Sequence, residues 1–118
     1  MTDSGATGRN GELFVAEFLR RNGYTVVKRN YRSRFGEIDI IAENSEYIIF
    51  TEVKTRRGNS LFAPAEAVNA AKRRRILLTA EDFLAKYETE LQPRFDVAEV
   101  IVPENGGRYK LNYIKNAF

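Results

Sequence analysis

Two neighbouring segments, Glu37–Glu43 and Tyr47–Lys54, constrain the fold more than any other part of the sequence. Both are rich in Ile, Val, Phe and Tyr, which predicts β-strands. Asn44-Ser45 between them predicts a tight turn and therefore a hairpin. Charged residues interrupt both strands at alternate positions: Glu37, Asp39, Glu52 and Lys54. Because side chains along a strand alternate between faces, these charges should lie on one face of the sheet.

The rest of the chain predicts two helices and three more strands around this hairpin. The predicted elements are a helix over Gly8–Asn22, a strand over Tyr24–Tyr31 with a turn at Arg32–Phe35, a loop over Thr55–Ala63, a helix from Pro64 to about Tyr87, and strands over Arg94–Val102 and Tyr109–Lys115. The order α-β-β-β-α-β-β predicts an α/β sandwich, a central mixed sheet flanked by helices.

The length of 118 residues predicts one domain over residues 1–118, with residues 1–7 mobile. No apolar run approaches the ~20 residues that a membrane span requires. The first residues lack the basic and apolar regions of a signal peptide. We therefore expect a cytoplasmic protein that does not enter a membrane.

The sequence contains neither cysteine nor histidine. Disulfides, thiolate zinc sites and cysteine nucleophiles are therefore excluded in this chain. The absence of histidine also removes the commonest general base and the commonest transition-metal ligand. A metal bound here would need carboxylate and carbonyl ligands, which suit Mg²⁺ or Mn²⁺.

The hairpin geometry brings carboxylates together. A turn at Asn44-Ser45 predicts that Asp39 faces Phe50 and that Glu37 faces Glu52, with Asp39 diagonal to Glu52. Facing carboxylates repel, so a cation should compensate, either Lys54 or a divalent metal. Asp39 and Glu52 could hold one Mg²⁺ together with a carbonyl near Val53. A structural salt-bridge network is the alternative.

Polar residues also interrupt the apolar stripes of both predicted helices. Glu12 lies centrally among the apolar residues of the first helix, which favours pairing or metal contact, although a frayed, exposed first turn is the alternative. The stripe of the second helix is Ile76, Ala80, Phe83, Leu84 and Tyr87. Towards the start of the helix, this stripe continues through Lys72 and Asn69. These two residues either approach the site of Asp39 and Glu52 or lie where the helix extends beyond the sheet.

Basic residues occur in clusters, although the net charge is only +3. Such clusters are typical of a phosphate-binding surface or of an ordinary solvated one. Candidate nucleic-acid contacts are Arg32, Arg34, Arg56, Arg57, Lys72 and Arg73. With a metal at the carboxylates and Lys54 orienting or activating a water molecule, the predicted chemistry is phosphodiester hydrolysis without histidine.

Several ordered blocks resemble a known family. "GRNGELFVAEFLRRNGYTVVKRNYRSRFGEIDIIA", "IIFTEVKTR" and "RFDV" are similar to the YraN-like family of small bacterial proteins, across residues 8–100. That family is assigned to the endonuclease-like PD-(D/E)xK superfamily, related to archaeal Holliday junction resolvases. The resemblance implies a restriction-endonuclease-like fold, with the superfamily's catalytic positions at Glu12, Asp39, Glu52 and Lys54. Glu37 and Asp96 also fit the family pattern, and we expect structural or supporting roles for them.

The leading functional hypothesis is a Mg²⁺- or Mn²⁺-dependent nuclease that acts on DNA, with branched or damaged DNA as candidate substrates and RNA as a further one. The alternative is a non-catalytic nucleic-acid-binding module in a repair or recombination complex. A third hypothesis is an interaction protein that docks a partner through a strand edge at Tyr109–Phe118. Junction-resolving relatives act as dimers, so the resemblance also implies a homodimer.

Overall fold

The computed structural model describes residues 4–58 and 69–118, without the side chains of residues 4–9. The helices and strands of these parts are α1 (Ser4–Arg21), β1 (Thr25–Ser33), β2 (Gly36–Glu43), β3 (Tyr47–Arg57), α2 (Ala70–Lys86), β4 (Gln92–Val102) and β5 (Lys110–Ile114). The predicted order of elements is confirmed. None of the helices in these ranges is long and apolar enough to cross a membrane.

The five strands form one mixed sheet in the order β1-β2-β3-β4-β5. β3 and β4 are parallel, and the other neighbouring strands are antiparallel. A parallel pair requires a crossover connection, and the segment between β3 and β4 contains α2. β1 and β5 are the edges of the sheet, so the predicted strand edge near the C-terminus is confirmed.

Each face of the sheet carries a hydrophobic cluster. Val15 and Leu19 of α1 belong to a cluster with strand residues such as Ile40, Ile49 and Val100. The other cluster combines three apolar residues of α2, predicted from its stripe, with strand residues of the opposite face: Ile76, Ala80, Phe83, Ile41, Phe50 and Val97. The alternation of side chains along the central strands supplies both faces.

The predicted pairing of β2 with β3 is wrong by two residues. Ile41 pairs with Phe50 and Ile40 with Thr51, so Asp39 does not face Phe50. The cause is the turn, where the Asn44 N–H donates to the Tyr47 carbonyl at 3.0 Å. The Asn44 side chain accepts from the backbone N–H of Tyr47 at 2.7 Å, which fixes a three-residue connection. A shift of two keeps each side chain on its predicted face.

Several predicted boundaries are also wrong. α1 begins at Ser4 rather than Gly8, and residues 1–3 lie outside the described residues, so the predicted mobility of residues 1–7 stays a prediction. β1 continues to Ser33, which shortens the predicted turn to Arg34-Phe35. β3 continues through Thr55 to Arg57, where a loop was predicted.

The second helix does not run continuously from Pro64. Asn69 has an extended backbone, with φ −79° and ψ 172°, and its side chain accepts from the Lys72 N–H at 2.9 Å. Asn69 is therefore the N-cap of α2. Pro64 lies outside the described residues. β4 begins at Gln92, two residues before the predicted start at Arg94. β5 covers Lys110–Ile114, one residue shorter at each end than the predicted strand Tyr109–Lys115.

Close packing at Gly11 brings α1 onto β3. Gly11 is buried, and a Cβ atom added there would collide with the Thr55 hydroxyl. We expect Gly11→Ala to destabilise the protein by about 1–2 kcal/mol, because the stiff Thr55 side chain cannot move away. In a Thr55→Ala background the same change should stabilise by up to ~1 kcal/mol through helix propensity. Urea unfolding of the double-mutant cycle measures both effects. A change in the free energy of unfolding with the same sign in both backgrounds would contradict the packing argument.

Candidate functional site

Asp39 and Glu52 lie where β2 and β3 stop pairing. The paired positions end at Ile40 and Thr51, so Asp39 and Glu52 occupy the next position on each strand. The Val53 backbone N–H donates to Asp39 Oδ2 at 2.7 Å. The Asp39 and Glu52 carboxyl groups lie within hydrogen-bonding range of each other. The structure therefore brings the two predicted carboxylates together, directly across the strands rather than diagonally.

This proximity changes the protonation of Asp39. Burial and the neighbouring charge on Glu52 raise the pKa of Asp39 to about 8, although the hydrogen bond from Val53 acts in the opposite direction. Without a bound cation, Asp39 is therefore mainly protonated at neutral pH. A divalent cation would reverse this preference, because an adjacent positive charge favours the ionised carboxylate.

The cation paired with Glu52 is Lys72 of α2, not Lys54. Lys72 Nζ lies 3.2 Å from Glu52 Oε1, so this residue belongs to the site and is not part of a helix extension beyond the sheet. Burial opposes the charge on Lys72, but the hydrogen bond with Lys54 and the charge on Glu52 outweigh it and raise its pKa. Lys72 thereby balances the charge of Glu52 when no metal is bound.

Lys54 has a different environment. Burial, followed by the hydrogen bond and positive charge of Lys72, lowers the pKa of Lys54, although Glu52 partly counteracts this. A lysine with a lowered pKa loses its proton nearer to neutral pH and can then accept one. The two amines therefore differ, since Lys72 holds its proton and Lys54 releases it more readily.

Glu12 of α1 completes the group of predicted catalytic residues. Burial is the main cause of its raised pKa, and it is opposed by a hydrogen bond with Asn30 and by the charge on Arg29. The Arg29 guanidinium lies 4.0 Å from Glu12 Oε1. The negative charges on Glu37 and Glu52 also act on Glu12. Glu12 is therefore half-buried and paired beside the site, not in an exposed, frayed turn.

The carboxylates open into a cleft of about 240 Å³. Its lining residues are Gly36, Glu37, Asp39, Glu52, Lys72, Arg75 and Ile76. Of the predicted nucleic-acid contacts, Lys72 lines the cleft, while Arg32 pairs with Glu37 at its edge at 3.1 Å. Arg34 lies in the β1–β2 turn, Arg56 and Arg57 are exposed at the end of β3, and Arg73 packs against Phe118. The structure therefore places Lys72 and Arg32 of this set at the cleft.

The donor atoms of the site suit a hard divalent cation. Asp39 and Glu52 contribute carboxylate oxygens, the ligand type that Mg²⁺ and Mn²⁺ prefer. Within residues 4–58 and 69–118, no group of three acidic side chains is arranged to hold a metal. Further ligands would therefore come from the backbone, with Val53 as the predicted source, and from water.

Sequence reasoning missed two contributors to the site and did not include Lys72 among the candidate partners of Glu52. Asn30, between two paired positions of β1, lies opposite Asp39 and bonds Glu12. Its φ of +54° is left-handed, a conformation that Asn tolerates better than most residues. An Asn inside a strand pattern is the available signal, because it has low β propensity. Arg75 lines the cleft but was not among the predicted contacts.

Comparison with known families identifies the chain. The model of the uncharacterised protein family UPF0102, the YraN family, matches residues 11–100. The chain belongs to this family. A UPF0102 protein of Symbiobacterium thermophilum is 48% identical over 112 residues, covering 94% of each chain. A UPF0102 protein of Alkaliphilus metalliredigens is 44% identical over 116 residues, covering 98% of this chain and 99% of the relative.

The fold of this chain is shared with the solved structure of a Holliday junction resolvase. Hjc of Archaeoglobus fulgidus, a Holliday junction resolvase from an archaeal hyperthermophile, matches with a TM-score of 0.57 and 20% sequence identity. The match covers 88% of this chain and 72% of the resolvase. The restriction-endonuclease-like α/β fold implied by the family resemblance is therefore confirmed.

Proposed function

We propose that this UPF0102 protein is a metal-dependent nuclease that hydrolyses phosphodiester bonds of DNA, with branched or damaged DNA as its substrate. The observation that carries the proposal is the pair of carboxylates, Asp39 and Glu52, beside two lysines of unequal basicity. The fold shared with a Holliday junction resolvase supports the same reaction class. Clustered Arg and Lys side chains would attract the phosphate backbone.

Each residue of the site has a distinct task in this proposal. Asp39, Glu52 and the Val53 carbonyl would hold Mg²⁺ or Mn²⁺, and Glu12 would act through a water molecule. Such an ion, when bound, supplies charge stabilisation at the phosphate and makes a bound water more acidic. When its amine is unprotonated, Lys54 accepts a proton at Nζ from the attacking water. Lys72 keeps its charge and stabilises the negative charge that develops on the phosphate.

A cleavage assay tests the proposed reaction. Wild-type protein should cut labelled branched or single-strand-containing DNA with Mg²⁺ or Mn²⁺ present, and a chelator should stop the reaction. Asp39→Ala should be inactive, while Glu81→Gln, a change at an exposed position of α2, should leave cleavage intact. Cleavage that persists in Asp39→Ala or in the chelator would contradict the proposal. Cuts on both strands of a junction would additionally require a homodimer, because one copy supplies one pair of carboxylates, Asp39 and Glu52, to the proposed reaction.

The proposed roles of the two lysines predict a shift in the pH profile. Lys72→Met removes a positive charge that lowers the pKa of Lys54. The pKa of Lys54 should therefore rise, and the increase of kcat/KM with pH should move to higher pH, because the base must be unprotonated. Lys86→Met, which alters an exposed pair with Asp82, is the control. An unmoved profile, or one displaced to lower pH, would exclude Lys54 as the base.

The non-catalytic binding module is the second candidate function. It is favoured by the Lys72–Glu52 pair at 3.2 Å, which satisfies Glu52 without any metal. A binding module would bind DNA with an affinity that falls steeply as the salt concentration rises. That affinity would change neither on addition of Mg²⁺ nor in the Asp39→Ala variant. Fluorescence anisotropy over a salt series, run beside the cleavage assay, separates the two functions. Metal-dependent cleavage by the wild type would exclude the module.

A further inference from the structure

The β1–β2 turn carries an aromatic residue outside the hydrophobic core. Within the parts of the chain that the structure describes, Phe35 is the one aromatic residue that belongs to neither hydrophobic cluster. Its ring is half-buried. A Phe in this position forgoes part of the stabilisation that full burial provides. The remaining part of the residue is accessible to solvent.

This turn is continuous with the cleft that contains the carboxylates. An open depression of about 400 Å³ is lined by Arg32, Ser33, Arg34, Phe35, Gly36 and Glu37. Gly36 and Glu37 also line the cleft with Asp39 and Glu52. Gly36 and Asp39 are three positions apart on one strand, or about 10 Å at ~3.3 Å per residue. A chain molecule held at the carboxylates would therefore reach the Phe35 ring.

The turn is held firmly against α2. Ser33 Oγ accepts from the Phe35 backbone N–H at 3.0 Å and donates to Thr79 Oγ1 at 3.1 Å. The Thr79 hydroxyl donates in turn to the Arg75 carbonyl at 2.8 Å. Gly36 packs directly beside the Arg75 side chain. The backbone that carries the ring is thus held in place, which lowers the entropic cost of binding.

The charges around the ring suit a nucleic acid. The Arg34 guanidinium lies 4.9 Å from the centre of the Phe35 ring, and Arg75 lines the neighbouring cleft. Aromatic rings combined with cations are a common means of holding single-stranded nucleic acid, because bases stack on the ring while the cations contact the phosphates. Paired bases in a duplex are not accessible to such a ring unless they are unstacked.

We propose that Phe35, supported by Arg34, stacks on an unpaired base that flanks the phosphodiester bond at the carboxylates. The substrate is then DNA with unpaired nucleotides beside the cleavage point, such as a splayed or gapped structure, rather than continuous duplex. This inference rests on the proposed nuclease function and defines its substrate class.

Binding measurements with Phe35 variants test the inference. Anisotropy titrations would compare splayed-arm DNA, a fully paired four-way junction and duplex of equal length, with a chelator present to keep the DNA intact. Phe35→Ala and Phe35→Leu should each weaken binding of the splayed DNA roughly tenfold, as expected for loss of one base stack. Binding to the two fully paired DNAs should not change. Phe35→Tyr retains the ring and should bind all three like the wild type.

The outcomes separate this inference from the proposed function. Wild-type affinity of Phe35→Ala for splayed DNA, or an equal loss on all three DNAs, would overturn the stacking role, whether or not the wild type cleaves in Mg²⁺. A selective loss on splayed DNA would support stacking even if the wild type never cleaves, in which case the nuclease proposal alone would fail. A wild type that binds no DNA would contradict both. Unfolding curves that match the wild type would confirm that the variants are folded.

Discussion

Replacing Asp39 by Asn is expected to abolish metal-dependent cleavage and, at the same time, to make the metal-free protein more stable. Cleavage should fall roughly 10³-fold or more, because metal stabilisation of a phosphate is worth several kcal/mol and ~1.4 kcal/mol is tenfold in rate. The gain in stability has a separate cause. Asn carries no charge, and its side-chain oxygen can still accept from the Val53 N–H.

The pH dependence of this gain follows from the pKa of Asp39. Its folded value of about 8 lies above the ~3.9 of an unfolded chain. The folded state therefore holds a proton that the unfolded state has lost, and the stability due to this proton is complete below pH ~4 and declines up to pH ~8. Asp39→Asn removes that decline, so the variant should exceed the wild type in stability increasingly from pH 5 to pH 8.

Urea unfolding of the chelated proteins at a series of pH values measures this difference. Glu88→Gln changes an exposed carboxylate and should follow the wild-type curve within ~0.5 kcal/mol. A wild-type stability that does not decline relative to Asp39→Asn would show that Asp39 is ionised without metal. The Lys72 ammonium, 3.2 Å from Glu52 Oε1, would then compensate the repulsion between two ionised carboxylates.

The largest loss of stability is expected at Asp96. Asp96 is fully buried and accepts hydrogen bonds from Arg94 Nε at 2.9 Å, the Tyr113 hydroxyl at 2.7 Å and the Asn116 N–H at 2.9 Å. This pairing with Arg94 confirms the structural role expected for Asp96. Burial and the charge on Asp96 raise the pKa of Tyr113, so its hydroxyl keeps the proton that it donates.

Asp96→Ala should lower the free energy of unfolding by about 3–5 kcal/mol, because it leaves a buried arginine without its partner. Asp96→Asn should lower the free energy of unfolding by less, since its amide oxygen can still accept a hydrogen bond from the Tyr113 hydroxyl. The matched control is Glu17→Ala, which removes exposed pairs with Arg20 and Arg21 and should cost under ~0.5 kcal/mol. Denaturant unfolding compares the three variants, and similar losses for Asp96→Ala and Glu17→Ala would contradict the buried network.

The sequence predicted which face of the hairpin carries the carboxylates, but not their pairing. Side-chain alternation survives a register shift of two residues, so Asp39 and Glu52 remained on one face. The register itself depends on the Asn44 side chain, which accepts two backbone hydrogen bonds across the turn. A turn at Asn44-Ser45 is equally compatible with the sequence, and no apolar residue changes face between the two alternatives.

The contacts between elements were harder to predict than the elements. Helical periodicity placed Lys72 on the stripe that contains Ile76, but its partner depends on where α2 crosses the sheet. The sequence therefore left the compensating cation open between Lys54 and a metal, and the ion pair forms with Lys72. The helix start was also misjudged, because Pro64 suits a first helical turn and predicts a start there. Asn69, whose residue type favours the N-cap over the helix interior, is the N-cap of α2.

Titration calorimetry with Mg²⁺ or Mn²⁺ tests the central claim most directly. It would be run on wild type, Asp39→Asn and Glu88→Gln, each alone and with a non-hydrolysable phosphorothioate DNA. We predict saturable metal binding by the wild type and Glu88→Gln, accompanied by proton release below pH ~8 as Asp39 ionises, and no such binding by Asp39→Asn. Equal binding by Asp39→Asn, or no binding by the wild type even with DNA, would show that Asp39 and Glu52 are not a metal site.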